Sequence, residues 1–235
     1  WVVAESLCRE HESWRYSIGL HPWFIERSAI DADQLVDILE RALGRNNVSS
    51  QISSNGAGVR PTASSSMAVA AIGECGLDWT RDVPRATQLA ILHAHCYVAA
   101  RYRLPLILHC VKAHSDMLMH LKRYELCGGV IHGFSGSAEV ARQYCDLGFS
   151  IGVGGVATYL RAAKTRKAIY SVSMDNILLE TDAPSMPLAG YQGQRNEPSK
   201  ISVIAKTLAD IKGVSLQEVA RTTSANAARL FGFDL

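Results

Sequence analysis

Glu74, His109, His132 and Asp182 are the residues of this chain whose types and spacing could do chemistry. Each closes an apolar run, in "AIGEC", "LILHC", "VIHG" and "LLETDAP", and the intervals between them are 35, 23 and 50 residues. If each run is a strand, the first two intervals suit one strand-plus-helix unit each and the third suits two, so all four side chains would emerge at one rim. Two imidazoles and two carboxylates suit a divalent cation, which lowers the pKa of bound water to about 7 and makes hydroxide available at neutral pH. Glu74 could bridge two ions while the imidazoles hold one. Asp182, at the end of a rigid strand, could bind metal and also take the proton from the attacking water, which makes it the catalytic candidate. His21 in "GLHP" and Asp78 in "GLD" stand at strand ends too. Glu180 alternates with its neighbours along the same run as Asp182 and is expected to face the surrounding helices.

Taken singly, each residue has an ordinary explanation. A histidine after an apolar strand is usually a hydrogen-bonded core or rim residue. Asp182 before Ala183 and Pro184 can cap a turn, and Glu74, between Gly73 and Gly76, can be a solvated turn acid. Four such coincidences in register are harder to dismiss. The "HAH" of His93 to His95 resembles a metal pair, but side chains two apart on a helix diverge by about 200°, so it reads as a helix-surface feature. His11, His114 and His120 lack strand-end placement, and only His114 keeps a claim as a rim residue. The aromatic "HPWF" reads as packing.

Elements must position these residues. Apolar runs of strand type are expected at Tyr16 to Leu20, Val69 to Gly73, Pro105 to His109, Gly129 to His132, Phe149 to Val153 and Ile177 to Thr181. Between them lie helical patterns at Asp33 to Leu43, Ala86 to Tyr102, Ala138 to Leu147 and Ala162 to Ser171. Nearly all-apolar strands alternating with helices are the pattern of parallel strands joined by helical crossovers, an α/β fold. An open doubly wound sheet concentrates its chemistry at one crevice, whereas a barrel gathers it from the ends of many strands. The polar residues at most strand ends therefore favour a TIM (β/α)8-type barrel of which about six βα units are visible. Near the C-terminus one helix starts at Pro198 and runs to about Asp210. A second, capped by Ser215 with Glu218 three residues on, runs to about Leu230. The serine-rich segment 45–66 reads as a flexible insertion in an otherwise single domain spanning residues 1–235.

Composition excludes several classes. Of 235 residues 48% are hydrophobic and 20% charged, with a net charge of +2, so no basic field advertises nucleic acid and a nuclease would rely on local contacts. No apolar run approaches the roughly 18 residues of a membrane span, and no signal pattern opens the chain, so the protein reads as soluble and cytoplasmic, with no membrane partner. The six cysteines are scattered without a C-x-x-C pair and read as reduced core thiols.

The stretches "IGLHPWF", "AIGECGLDW", "YRLPLILHC", "GVIHGFSGSAEVARQYCDLGFSIGVGG", "LLETDAPSMPL" and "GYQGQRNEPSKI" cover nearly the whole chain, and in that order it resembles the TatD family of metal-dependent hydrolases, within the amidohydrolase-like barrels. The resemblance implies a TIM barrel, one or two divalent ions (Mg, Mn or Zn), and hydrolysis of a phosphodiester, commonly as a deoxyribonuclease, with DNA or another phosphodiester as partner. By motif match Glu74, His109, His132 and Asp182 fall on the family's metal ligands. Lys112 and Arg195 are the expected substrate contacts. Departures accompany the match. The family opens with a strand ending in H-x-H that supplies two ligands, and Trp1 enters the pattern after it, so the chain is expected to be N-terminally incomplete or closed by another chain or a rearrangement. Val111 and Lys112 stand where the family often has arginine; lysine would meet a phosphate as a point charge without the bidentate fork. His95 stands where glutamine is usual. An amide or ester hydrolase of the same superfamily, and an impaired barrel acting as a binding protein, are the alternatives these departures leave open.

Overall fold

The computed structural model describes residues 1–11, 13–45 and 69–233. The expected insertion at 45–66 lies outside them, apart from Arg45 at a helix end. In chain order the elements are α1 (Val2–Glu10), β1 (Tyr16–Ile18), α2 (Ile25–Ser28), α3 (Ala32–Arg45), β2 (Val69–Asp78), α4 (Arg85–Tyr102), β3 (Leu106–Val111), α5 (His114–Leu121), β4 (Gly129–Ile131), α6 (Ala138–Asp146), β5 (Phe149–Val153), α7 (Ala163–Ser171), β6 (Ile177–Leu179), α8 (Ile201–Lys212) and α9 (Leu216–Phe231). Each of the six expected strands is present, and the fold is α/β. Two compact units divide the chain, Trp1–Gly129 with Phe231–Phe233, and Val130–Leu230. Strand order follows chain order, β1-β2-β3 in the first unit and β4-β5-β6 in the second.

In the first unit β2 pairs in parallel with β1, Ile18 beside Ile72, and with β3, Ile72 beside Leu106 and Asp78 beside Val111. It runs five residues beyond its expected end at Gly73. Glycine makes that extension feasible: Gly76 sits at φ +141°, and a Cβ there would stand 2.0 Å from the His109 carbonyl oxygen. Only a residue without a side chain lets β3 approach so closely. Both faces of β2 are covered, and Val69, Ala71, Ile72, Cys75 and Leu77 are buried. The helix α4 packs against β2 and α3 and buries most of its girth, Ile91, Leu92, His95, Cys96, Val98 and Ala99 included, with Ala86, Ala90, His93 and Tyr97 left along an exposed stripe. A helix enclosed in this way needs no single apolar stripe.

In the second unit β5 pairs in parallel with β6, Ile151 beside Ile177 and Val153 beside Leu179. Side-chain caps set the helix starts. Ser137 Oγ accepts from the Val140 N–H at 3.3 Å and Ser215 Oγ from the Glu218 N–H at 3.1 Å, each satisfying a donor that the first helical turn leaves unpaired. The buried Asn226 on α9 donates to the Met174 and Ile177 carbonyls, both at 2.8 Å, and so fastens that helix to the start of β6. None of the six cysteines is joined in a disulfide. Burial pushes the Cys96 thiol up to about 12, which keeps it protonated and inert. No helix among the described residues is long and apolar enough to cross a membrane.

Candidate metal centre

In the first unit β2, β3 and the segment that follows β1 deliver one cluster. His21, Glu74 and His109 each offer a ligand atom, and these atoms lie within 4.8 Å of one another. Glu74 Oε1 is the shared corner, 3.1 Å from His21 Nε2 and 3.2 Å from His109 Nδ1. His21 is the residue that sequence reasoning left out of the ligand set, although its place after an apolar strand was the available signal.

Hydrogen bonds divide the roles of the two imidazoles. His21 caps the 3-10 turn Pro22–Phe24, where its Nδ1 accepts from the Trp23 N–H at 3.1 Å. A neutral ring that accepts at Nδ1 carries its proton on Nε2, which stands 3.1 Å from Glu74 Oε1 in a geometry that makes no hydrogen bond to that oxygen. In His109 the polarity is reversed. Its Nε2 faces Asp78 Oδ2 at 3.4 Å, and a proton held there leaves the Nδ1 lone pair facing a carboxylate oxygen. Glu74 Oε1 is buried and accepts no hydrogen bond, and a cation held between it and His109 Nδ1 would satisfy it. A histidine whose far nitrogen is held by a carboxylate is also the usual arrangement of a metal-binding imidazole. The donor set therefore fits a divalent ion, with Glu74 and His109 as ligands and His21 at the third corner, where it could ligate only by giving up its bond to Trp23.

Asp78 is the support. It is 1% exposed, yet ionised: burial opposes its charge, but hydrogen bonds from the Thr80 hydroxyl, the Trp23 indole, the Thr80 N–H and His109 outweigh that penalty and hold its carboxyl down at about 2. Its own backbone is gripped by the buried Gln88, whose Oε1 accepts from the Asp78 N–H at 2.8 Å while Nε2 donates to the Asp78 carbonyl at 3.0 Å. The other side of the cluster is set by His95. Its Nε2 accepts from the Leu20 N–H at 2.9 Å and its Nδ1 donates to the Ile91 carbonyl at 2.7 Å, which pins the chain one residue before His21. Burial lowers the His95 pKa to about 4, so the ring is neutral. The expectation of a helix-surface pair is corrected accordingly. His93 points outward and His95 inward, the divergence of residues two apart having placed them on opposite faces. The packing role expected for "HPWF" is corrected as well, since Trp23 and Phe24 are 51% and 50% exposed.

In the second unit His132 follows β4 directly, and its Nδ1 stands 3.6 Å from Glu180 Oε1. Glu180 does not face the helices. Its carboxylate accepts from the Gly133 N–H and lies over β5, where a Cβ on Gly152 would come within 2.7 Å of Oε2. At Gly154 the three nearest neighbours of such a Cβ all belong to Glu180, the closest at 3.2 Å. Because β6 ends at Leu179, the strand alternation used to aim Glu180 no longer applied to it. Asp182 lies three residues beyond the strand with φ at +57°, a conformation an aspartate tolerates and one that recurs at functional positions. Its loop is knotted by the buried Asn196, whose Nδ2 donates to the carbonyls of Thr181, Ser185 and Met186. Of the expected substrate contacts, Lys112 is exposed immediately after β3 at φ +55°, and Arg195 is exposed directly before Asn196.

Comparison with known proteins adds the relatives. A family described as TatD related DNase matches residues 1–232. The chain is 38% identical over 229 residues to the uncharacterized metal-dependent hydrolase YjjV of Escherichia coli K12, covering 96% of this chain and 80% of that one. It is 35% identical over 175 residues to the 3'-5' ssDNA/RNA exonuclease TatD of Klebsiella pneumoniae, covering 71% of this chain and 66% of that one. The crystal structure of YjjV, a TatD homologue from Escherichia coli, matches with a TM-score of 0.86 at 35% identity, over 100% of this chain and 83% of that one. That likeness makes the fold class one of the TIM-barrel type.

Proposed function

Since this chain belongs to the TatD-related DNase family of metal-dependent hydrolases, we propose that it hydrolyses phosphodiester bonds, with DNA as its substrate. The observation that carries the reading is the cluster at Glu74, in which two imidazole nitrogens converge on one carboxylate oxygen beside a buried, ionised Asp78. The relative named as an ssDNA/RNA exonuclease supports the choice of substrate. A bound divalent cation would supply Lewis acidity toward a phosphoryl oxygen and a nucleophile at neutral pH.

The chain's own residues do the rest. Glu74 and His109 hold the cation, and Asp78 keeps the His109 proton on Nε2 so that Nδ1 remains a donor of electrons. His132 and Asp182 serve as further ligands, a role whose support is the strand-end pattern of the sequence. Asp182 also accepts the proton released as water attacks the phosphorus. Lys112 and Arg195 meet the phosphate charge.

Asp182→Asn tests the assignment. It is expected to abolish metal-stimulated cleavage of a DNA oligonucleotide while the circular dichroism spectrum stays that of the parent; full retained activity would overturn it. Parallel assays on an aryl ester and an anilide separate the amide and ester reading, since turnover there without cleavage of DNA would replace the phosphodiester assignment.

A further inference from the structure

We propose that Trp23 and Arg81 form a stacking clamp for the nucleobase next to the bond being cut, a subsite that rests on the phosphodiester reading above. Trp23 is an aromatic of the size proteins bury when they can, yet half of it is open to solvent, and Phe24 beside it is 50% exposed. The ring is nevertheless fixed. Its Nε1–H donates to Asp78 Oδ2 at 2.8 Å, a charge-assisted bond to a buried carboxylate, and the turn that carries it, Pro22–Phe24, is capped by His21. A platform immobilised before its ligand arrives loses little freedom on binding.

Position and charge name the ligand. The Trp23 ring lies 5.3 Å from the His21 ring and 6.2 Å from that of His109, so it borders the candidate cation ligands at a distance comparable with the reach from a phosphate to its base. The exposed Arg81 holds its guanidinium 5.2 Å from the indole centroid, within cation–π range. With the guanidinium lying over one face of the indole, the pair forms a single layered platform of the kind on which proteins stack unpaired bases, and the guanidinium adds a positive charge for the adjoining phosphate. Such a clamp tolerates any base, because every base has a π face.

Fluorescence anisotropy in EDTA tests it, with a labelled single-stranded dT oligomer and an abasic oligomer of the same length. The parent protein is expected to bind the base-bearing strand about tenfold more tightly. Trp23→Leu should bring that ratio close to one, Trp23→Phe should keep most of it, and Arg81→Gln, a surface change that leaves the indole's bond to Asp78 in place, should give an intermediate value. A ratio near one in the parent, or one unchanged in both Trp23→Leu and Arg81→Gln, overturns the clamp. Cleavage of the two oligomers by the metal-loaded protein separates the failures. Equal cleavage of both sinks the clamp alone, whereas cleavage of neither sinks the phosphodiester reading and the clamp with it.

Discussion

At the scale of single residues, the Glu74 cluster turns on where protons sit. His21 has its second nitrogen tied to the Trp23 N–H, whereas His109 has its second nitrogen facing the Asp78 carboxylate, so the two imidazoles that look equivalent by distance are not equivalent as ligands. His109→Gln is therefore expected to weaken binding of Mn²⁺ or Zn²⁺, measured by titration calorimetry, more than His21→Gln; the opposite order would identify His21 as the ligand. Asp78→Asn removes the carboxylate behind His109 and is expected to lower metal affinity by about 10- to 100-fold, the usual effect of losing such a support. Much of this was open to sequence reasoning, since Glu74 and His109 stand at the ends of apolar runs. His21 was visible there too, but a lone histidine before a proline carries no mark that separates it from a structural one. Neither the orientation of His109 nor the anchoring of His95 could be read, because they depend on partners 31 and 75 residues away in sequence, respectively.

At the scale of elements, the joints that aim the site are few and specific. Asn196→Ala takes the knot from the loop that carries Asp182 and leaves three carbonyls to find other donors. A loss of about 1–3 kcal/mol is expected in urea denaturation, with cleavage by added protease rising within residues 181–196. On the helices, His95 and His120 are both held near a pKa of about 4, His95 by burial and His120 by burial together with Arg123 and His93. The unfolded chain protonates these groups first as pH falls. Their contribution to stability is thus complete above about 6.5 and is lost between about 6.5 and 4, up to roughly 3 kcal/mol for the fully buried His95. Urea midpoints measured across that window should fall with pH, and His95→Gln should flatten the decline. Element type was legible from apolar runs, but the length of β2 was not. "GECGLD" lacks strand character by composition, and it becomes strand only because Gly76 admits the neighbouring backbone. The short α5 also escaped notice, its eight residues being too few for a helical period to emerge.

At the scale of the whole molecule, a net charge of +2 restricts how DNA can be held. So small a net charge gives little long-range attraction, and binding of the proposed substrate is expected to rest on a few phosphate contacts such as Lys112, Arg195 and Arg81. The logarithm of affinity for single-stranded DNA is expected to fall with the logarithm of salt at a slope no steeper than about −2, from roughly 0.7 per contact. A much steeper slope would reveal a larger electrostatic footprint. Spacing made the α/β order legible, because intervals of whole strand-plus-helix units survive in a linear sequence, whereas the side-chain networks that tune the site leave no interval to count. Glu180 and Gly154 carry a different consequence, for the order in which this lineage can change. A methyl group at position 154 meets Glu180 and, among its nearest neighbours, nothing else. Alanine there requires Glu180 to give by a few tenths of an ångström and meets less resistance once position 180 has shortened, so the strain caused by either substitution depends on which arrives first.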